Sequence, residues 1–527
     1  MAAKTRQENS YKMKTLRFVA AEAFISKQEY AKLSIRNIAH NLYPLLLKAC
    51  FLNEKEEIIT ILVENWPLSD FNFSKLLGKT VDCPEDISHW SCQRCLTACL
   101  RGLKNYVLNC SPTYSKRLKV VDLTGIRDVQ FQSCKCKKTL GRWGRTQLIS
   151  EICFELLIEM QKSDFNPSIF DVDVDVKCNL FVTEKIYELV VQALLMRCHC
   201  PLKIRCVDFR ADSLVLRKLF YILRLAEPSS IHKLEIVHNV RLEIYHLEVL
   251  FNNITFTQLS SLTLPASTFN VTNYTAEDEA ILCTIGEKLS NMVHLTELCL
   301  SFSTLTGRLR KLLSPLKTPL KVLELANCSL NQLDMAYLAN SLHAEYLEQL
   351  DLSGHNIAEV FPSTFFKLLS KASKTLQVLI LEECDIGDMN VHVLEMGIVH
   401  CLKLKELKFL GNPSTAITLR RLFRVLANLP RLRYIEFPVP KDCYPPDVSY
   451  PLDEASLVKY DHQKYETIKQ TLCRILRQVA REDILVATPL FGSYDSAIEE
   501  TGMELGTCLL TSFKDALQSF TASLQKL

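Results

Sequence analysis

Leu320-Lys-Val-Leu323-Glu-Leu325-Ala-Asn-Cys328-Ser-Leu330 is the most regular stretch of the chain. Its first half alternates apolar and polar residues, which predicts a short strand with one face buried. Cys328 stands where the chain turns inward, and a polar group there can satisfy backbone left over at the turn. The spacing of the leucines with the Cys is that of a leucine-rich repeat. A second complete copy begins at Leu376, with Leu379, Leu381, Cys384 and Ile386 in the matching slots. Between them, Leu347-Glu-Gln-Leu350-Asp-Leu352-Ser-Gly-His355-Asn-Ile357 departs from the pattern, with His355 in the Cys/Asn slot.

Counting outward gives repeat starts at Ile231, Leu259, Leu295, Leu320, Leu347, Leu376, Leu404 and Leu432. All but one of the steps are of similar length, with room for one strand and one helix. The long step holds the polar stretch Asn270 to Glu279, which reads as a surface insertion. After Leu330, the residues Leu333, Ala336, Tyr337 and Leu342 recur at helical spacing. The fold class is therefore α/β, a leucine-rich repeat solenoid. Such a solenoid is a binding surface, and its leucines name no ligand.

The chain has 527 residues, a formal net charge of +3 and 48% hydrophobic residues. That charge is too small for electrostatic capture of nucleic acid. The 21 cysteines are scattered and odd in number. Those in repeat slots serve as small hydrophobes, which favours a reducing compartment, the cytoplasm with the nucleus as a second location. The opening residues are polar and basic, with no apolar core of a signal peptide, and no run of 18 apolar residues suggests a membrane span.

Read in order, residues 1–14 are expected to be a disordered tail. From Thr15, placed as an N-cap, Leu16, Val19, Ala20, Ala23 and Phe24 fall on one stripe of an amphipathic helix. Pro44 marks a second helix start, Glu54 to Val63 a third helix and Asp86 to Leu108 a longer one. Residues 15–110 thus read as a helical domain. Residues 111–440 read as the solenoid, with irregular early strands at Leu118 to Leu123, Phe170 to Cys178 and Ile204 to Leu214. The Pro-rich run after Phe437 stops the array. Residues 441–527 form a helical cap, with helices over Asp453 to Ala480 and Glu504 to Leu524.

Three stretches together carry a family resemblance: Thr15-Leu16-Arg-Phe-Val-Ala20-Ala-Glu-Ala-Phe24, Leu42-Tyr-Pro44-Leu-Leu-Leu continuing to Trp66-Pro67, and Phe437-Pro-Val-Pro-Lys-Asp-Cys443-Tyr. With the repeats between them they resemble the PRAME family of leucine-rich repeat proteins. The resemblance implies a BC box at Thr15, Leu16, Ala20 and Phe24 that binds elongin C. It also implies a cullin-2 box at Leu42, Pro44 and Leu45. Phe24 is larger than the aliphatic side chain usual in its slot. The expected function is that of a non-enzymatic substrate receptor of a cullin-2–elongin B/C ubiquitin ligase, with the solenoid holding a protein destined for degradation. The alternative is a leucine-rich scaffold or inhibitory binding protein in signalling, as for the NF-κB kinase complex, without ligase assembly.

Other signals are weaker. Cys92-x-x-Cys95 with Cys134-x-Cys136 has the ligand types of a zinc site, but the spacer is long, and Cys92, Cys95 and Cys99 also fit a buried helix face. Buried thiols are preferred, and no cofactor is expected. Leu42 to Leu46 and Leu309 to Leu313 match L-x-x-L-L and read as core. Gly141 to Thr146 lacks the Gly-Lys-Ser/Thr ending of a phosphate loop. No catalytic pairing is recognisable.

In the repeat strands, the residues between the leucine slots face away from the core. Read across the eight repeats they include Glu235, Glu297, Glu324, Asp351, Glu382, Glu406 and Glu436, against Lys233 and Lys408. The expectation is a continuous acidic stripe on the concave surface, suited to a target with a basic surface.

Overall fold

The computed structural model describes residues 13–88, 92–109, 117–126, 140–162, 172–238, 240–453 and 456–489. Two compact units divide them. Of the described residues, the first runs to Asp212 and includes Tyr221–Glu227; the second comprises Ser213–Phe220 and residues 228–489.

The first unit opens with α1 (Leu16–Ser26), α2 (Gln28–Ser34), α3 (Tyr43–Leu52) and α4 (Glu56–Glu64). Thr15 caps α1: its hydroxyl oxygen accepts from the Phe18 amide at 3.3 Å. Pro44 sits in the first turn of α3, where a missing N–H costs nothing. The buried side of α1 is Phe18, Ala21 and Ile25, so the stripe read from the sequence is the solvent side. Between α3 and the segment 78–86 lies a buried ammonium. Lys48 is 1% exposed, and its Nζ donates to the carbonyls of Gly78 (2.5 Å), Cys83 (3.1 Å) and Glu85 (2.6 Å).

Residues 70–72, which the sequence places among helices, form a strand instead: β1 (Asp70–Asn72), followed by α5 (Phe73–Leu77). The long helix of the head, α6, begins at Gln93 rather than Asp86 and ends at Leu108. It crosses α4 at Gly102, where a Cβ would lie 2.7 Å from the Thr60 carbonyl oxygen. Then come β2 (Val120–Asp122), α7 (Arg142–Lys162), β3 (Val174–Val182), α8 (Tyr187–Leu195) and β4 (Leu202–Asp212). The four strands pair in parallel in chain order. Parallel neighbours need crossover connections, and the intervening helices supply them.

The second unit carries β5 (Lys233–Val237), β6 (Ser261–Thr263), β7 (Glu297–Cys299), β8 (Val322–Glu324), β9 (Gln349–Asp351), β10 (Val378–Ile380), β11 (Glu406–Lys408), β12 (Tyr434–Glu436) and β13 (Leu485–Ala487). They too form one parallel ladder in chain order. All eight expected repeats are present, each strand starting two residues after its first leucine slot. The first three apolar slots of every repeat are buried.

The turn slot works as its chemistry requires. The Cys328 thiol donates to Leu300 O (3.2 Å) and the Cys384 thiol to Leu352 O (3.4 Å). Asn412 serves both directions: its Nδ2 donates to Leu381 O and Phe409 O, and its Oδ1 accepts from the Cys384 and Ile386 amides. His355 fills the same slot through Nδ1, 2.9 Å from Leu352 O, and leaves Nε2 without a partner. Burial pushes its pKa down, which favours the neutral ring.

Further expectations change. The outer helix after Leu330 spans Gln332–Asn340 and buries Met335, Leu338 and Ala339, while Leu333 and Leu342 are exposed. The array does not stop at Phe437, because β13 adds to β12 beyond the Pro-rich run. The helix expected over 453–480 is His462–Gln478. The long step at 270–279 holds a short turn at Val271–Asn273 and the start of a 15-residue helix, Ala276–Ser290. Residues 1–12 and the expected helix at 504–524 lie outside the described residues. Lys14, placed in the tail, is ion-paired to Glu22 at 2.8 Å.

Candidate protein-binding surfaces

α1 has two apolar sides. Phe18, Ala21 and Ile25 anchor it, and Leu16, Val19, Ala20 and Ala23 face outward. Leu16 is 88% exposed. Phe24 is half-buried, its ring edge-on to Tyr30 at 6.0 Å. Tyr30 and Leu33 of α2 are also exposed. Thr15 is engaged by the fold: its hydroxyl donates to Asp82 Oδ1 (2.7 Å) and its amide to Asp82 O (3.0 Å). Lys48 holds the segment that carries Asp82, so α3 fixes the start of α1 through that segment. Of the second expected set, Leu42 is half-buried in the turn His40–Leu42, and Pro44 and Leu45 are half-buried on α3, which packs on α1. The helix start at Tyr43 is fixed from behind by its hydroxyl, which donates to Ile35 O, and by an edge contact with the buried Trp66.

On the second unit, all seven acids lie on the strand face opposite the leucines, yet they do not form a continuous stripe. One row across the register reads Lys233, Ser261, Glu297, Val322, Gln349, Val378, Glu406, Tyr434. The next reads Glu235, Thr263, Cys299, Glu324, Asp351, Ile380, Lys408, Glu436. Only Glu324 and Asp351 are direct neighbours, and Glu382 lies two residues beyond Ile380. Counting slots along one strand cannot show this, because the position of the acid shifts between repeats.

Several acids are already answered. Glu235 pairs with Lys233 (2.9 Å) and Glu436 with Lys408 (3.7 Å). Glu324 accepts from Gln349 (2.8 Å), and Glu436 also accepts from the Tyr434 hydroxyl (2.7 Å). The Ser353 amide and hydroxyl both donate to Asp351. Burial raises the Asp351 pKa against those donors. Glu382 is pushed up to about 7, first by burial and then by Glu436 and Asp351, with Lys408 opposing. The acids therefore gather into a cluster of Asp351, Glu382 and Glu436 around Lys408, rather than a line.

Cys92, Cys95 and Cys99 are buried at the start and on the inner face of α6; Cys134 and Cys136 lie outside the described residues. Among the described residues no group of three or more His, Cys, Asp or Glu is placed to hold a metal ion. Leu309, Leu312 and Leu313 are buried. Among the described residues no helix is long and apolar enough to cross a membrane.

Comparison with known proteins matches this architecture to one family. The sequence profile of the PRAME C-terminal domain matches residues 190–490. Leucine-rich repeat-containing protein 14 of Xenopus laevis is 30% identical over 502 residues, covering 91% of this chain and 98% of its own. The Homo sapiens protein of that name is 28% identical over 494 residues, with the same coverage. Oogenesin-2 of Mus musculus is 25% identical over 449 residues, 83% of this chain and 87% of its own. Among solved structures, an internalin of Listeria monocytogenes overlays on 55% of this chain and 79% of its own at 15% identity and a TM-score of 0.27, a likeness too slight to carry an argument. A repeat ladder with these relatives along almost its whole length belongs to the PRAME family.

Proposed function

We propose that the chain is a non-enzymatic substrate receptor of a cullin-2–elongin B/C ubiquitin ligase. In this reading α1 binds elongin C through Leu16, Ala20 and Phe24, while Leu42, Pro44 and Leu45 meet cullin-2. The strand face of the second unit holds the target protein through Glu235, Glu297, Glu324, Asp351, Glu382, Glu406 and Glu436. Catalysis belongs to the recruited conjugating enzyme, and this chain supplies proximity.

The observation that carries the reading is the orientation of α1. A leucine that packed into its own domain would be buried, and Leu16 is 88% exposed on a helix whose anchors are elsewhere. An exposed leucine beside an alanine is the form of a helix-in-groove contact: a bulky anchor next to a small residue that lets the helix sit close.

The test is co-purification of elongins B and C with the tagged full chain, and its loss in Leu16→Glu. Because Leu16 contributes nothing to the core, the variant keeps the native melting temperature within about 2 °C. Binding of elongin C falls by roughly a hundredfold, the scale of a lost hot-spot anchor. Absence of both elongins from the folded native chain overturns the ligase reading and leaves a scaffold.

A further inference from the structure

Four consecutive repeats place an exposed apolar side chain at the same repeat position, within two residues of the start of the outer helix. Leu333, Val360, Met389 and Ile417 each lie thirteen residues after the first leucine slot of their repeats, Leu320, Leu347, Leu376 and Leu404. They are 72%, 52%, 90% and 75% exposed. Their turns stack in the order of β8 to β11: Asn327 donates to Ser353 O, Gly354 to Glu382 O and Glu383 to Leu410 O. The Thr415 hydroxyl also donates to Asp388 Oδ1 (2.9 Å), tying the last two helix starts together. The four side chains therefore form a row along one edge. At its ends the same slot holds Arg308, ion-paired to Glu279, and Pro445.

Single exposed hydrophobes need no explanation, whereas a row of them in register does. Its charged flank differs from the strand face. Glu359, Glu383 and Asp385 are exposed on these turns, and among the described residues no Lys or Arg forms an ion pair with any of them. Two of the strand-face acids, Glu235 and Glu436, are neutralised by lysines, whereas on this edge the neutral Asn356 amide donates to Glu359 (2.9 Å) and Asp385 (3.4 Å) and leaves their charge in place.

We propose that this edge docks an amphipathic helix of a partner protein, its apolar side on Leu333, Val360, Met389 and Ile417 and its Lys or Arg residues toward Glu359, Glu383 and Asp385. The inference rests on the reading of the second unit as the holder of a target, not on ligase assembly. The charge flank selects the occupant. The row crosses three repeat steps, about 15 Å at strand spacing and about 30 Å at helix spacing, which a helix of about 15–20 residues spans.

The experiment uses the full chain and a fluorescent Leu/Lys amphipathic peptide of about 16 residues, beside a Leu/Glu peptide of the same pattern. The Leu/Lys peptide binds saturably and at least about tenfold tighter than its acidic counterpart. The variant Leu333→Ser, Met389→Ser, Ile417→Ser weakens it about tenfold or more at unchanged melting temperature, and Glu359→Lys, Glu383→Lys, Asp385→Lys reverses the preference between the peptides. Binding unaffected by both variants overturns the site. So does binding abolished instead by Glu324→Lys, Asp351→Lys, Glu382→Lys, an outcome that leaves the target-holding reading standing on the strand face. Slow oxidation of Met389 in dilute chain means that another part of the chain covers the row. A concentration-dependent dimer abolished by Met389→Ser means that a second copy does. Either result overturns the proposal.

Discussion

Lys48 shows how a single side chain can hold a segment that has no regular structure. Its ammonium is shut away from water and compensated by three carbonyls. Removing it takes the ammonium from all three, and among the described residues only Cys83 O keeps a second donor, the Thr80 amide at 3.0 Å. Lys48→Met should cost about 3 kcal/mol by denaturant unfolding. The amides of Thr15 and Ile87, which donate to Asp82 O and Leu77 O, should then exchange faster than in the native chain. Unchanged exchange would mean that the segment holds itself. Glu382 makes the opposite case, a carboxylate set where charge is unwelcome. Its folded pKa is raised, to about 7. Its favourable contribution is therefore present below the unfolded value near 4.5 and lost as pH rises through about 7. Glu382→Gln should then be more stable than the native chain at pH 8, by roughly 1–2 kcal/mol after allowance for solvent screening, and no more stable below about pH 4.5. Thermal melts at the two pH values check it. Neither environment was legible in the sequence: Lys48 gives no sign of burial, and Glu382, though placed on the strand face, takes its surroundings from strands 28 and more residues away. The leucine slots were legible because each carries its own periodic signal.

At the level of elements, the sequence located helices better than it oriented them. On α1 and on Gln332–Asn340, the stripe chosen from periodicity was the solvent side. Both helices have apolar residues on two sides, and periodicity gives a stripe without saying which stripe the core takes. That failure is informative, because an apolar stripe left outside is what a docking helix presents. The strands β1 and β13 were missed because three residues are too few to alternate, and their pairing comes from the neighbouring strand. Gly102 is another element-scale fact. A methyl there meets the Thr60 carbonyl oxygen and the Val63 side chain, both at 2.7 Å. Gly102→Ala gains about 1 kcal/mol of helix propensity and loses more by forcing α4 and α6 apart. A net loss of about 2 kcal/mol is expected in chemical denaturation, and a more stable variant would show that the two helices separate freely.

Over the whole molecule, the proposed contacts differ in kind as well as in place. The elongin contact is apolar and belongs to the first unit; the strand-face contact with the target is ionic and belongs to the second. Raising salt from about 0.05 to 0.5 M should weaken target capture several-fold and leave elongin C binding within about twofold. Leu16→Glu and the strand-face triple lysine variant should each abolish one activity, their effects combining without coupling. Equal salt sensitivity of the two contacts in pull-downs would contradict this division. The buried ammonium of Lys48 also has a chemical consequence. An amine buried and held by three carbonyls is not a free nucleophile, so Lys48 is closed to acylation, while exposed Lys79 on the same segment is open to modification. In native-state acylation Lys48 should react only when the segment opens. Its labelling rate would then serve as a clock for the opening of the first unit, read by mass spectrometry from a single residue.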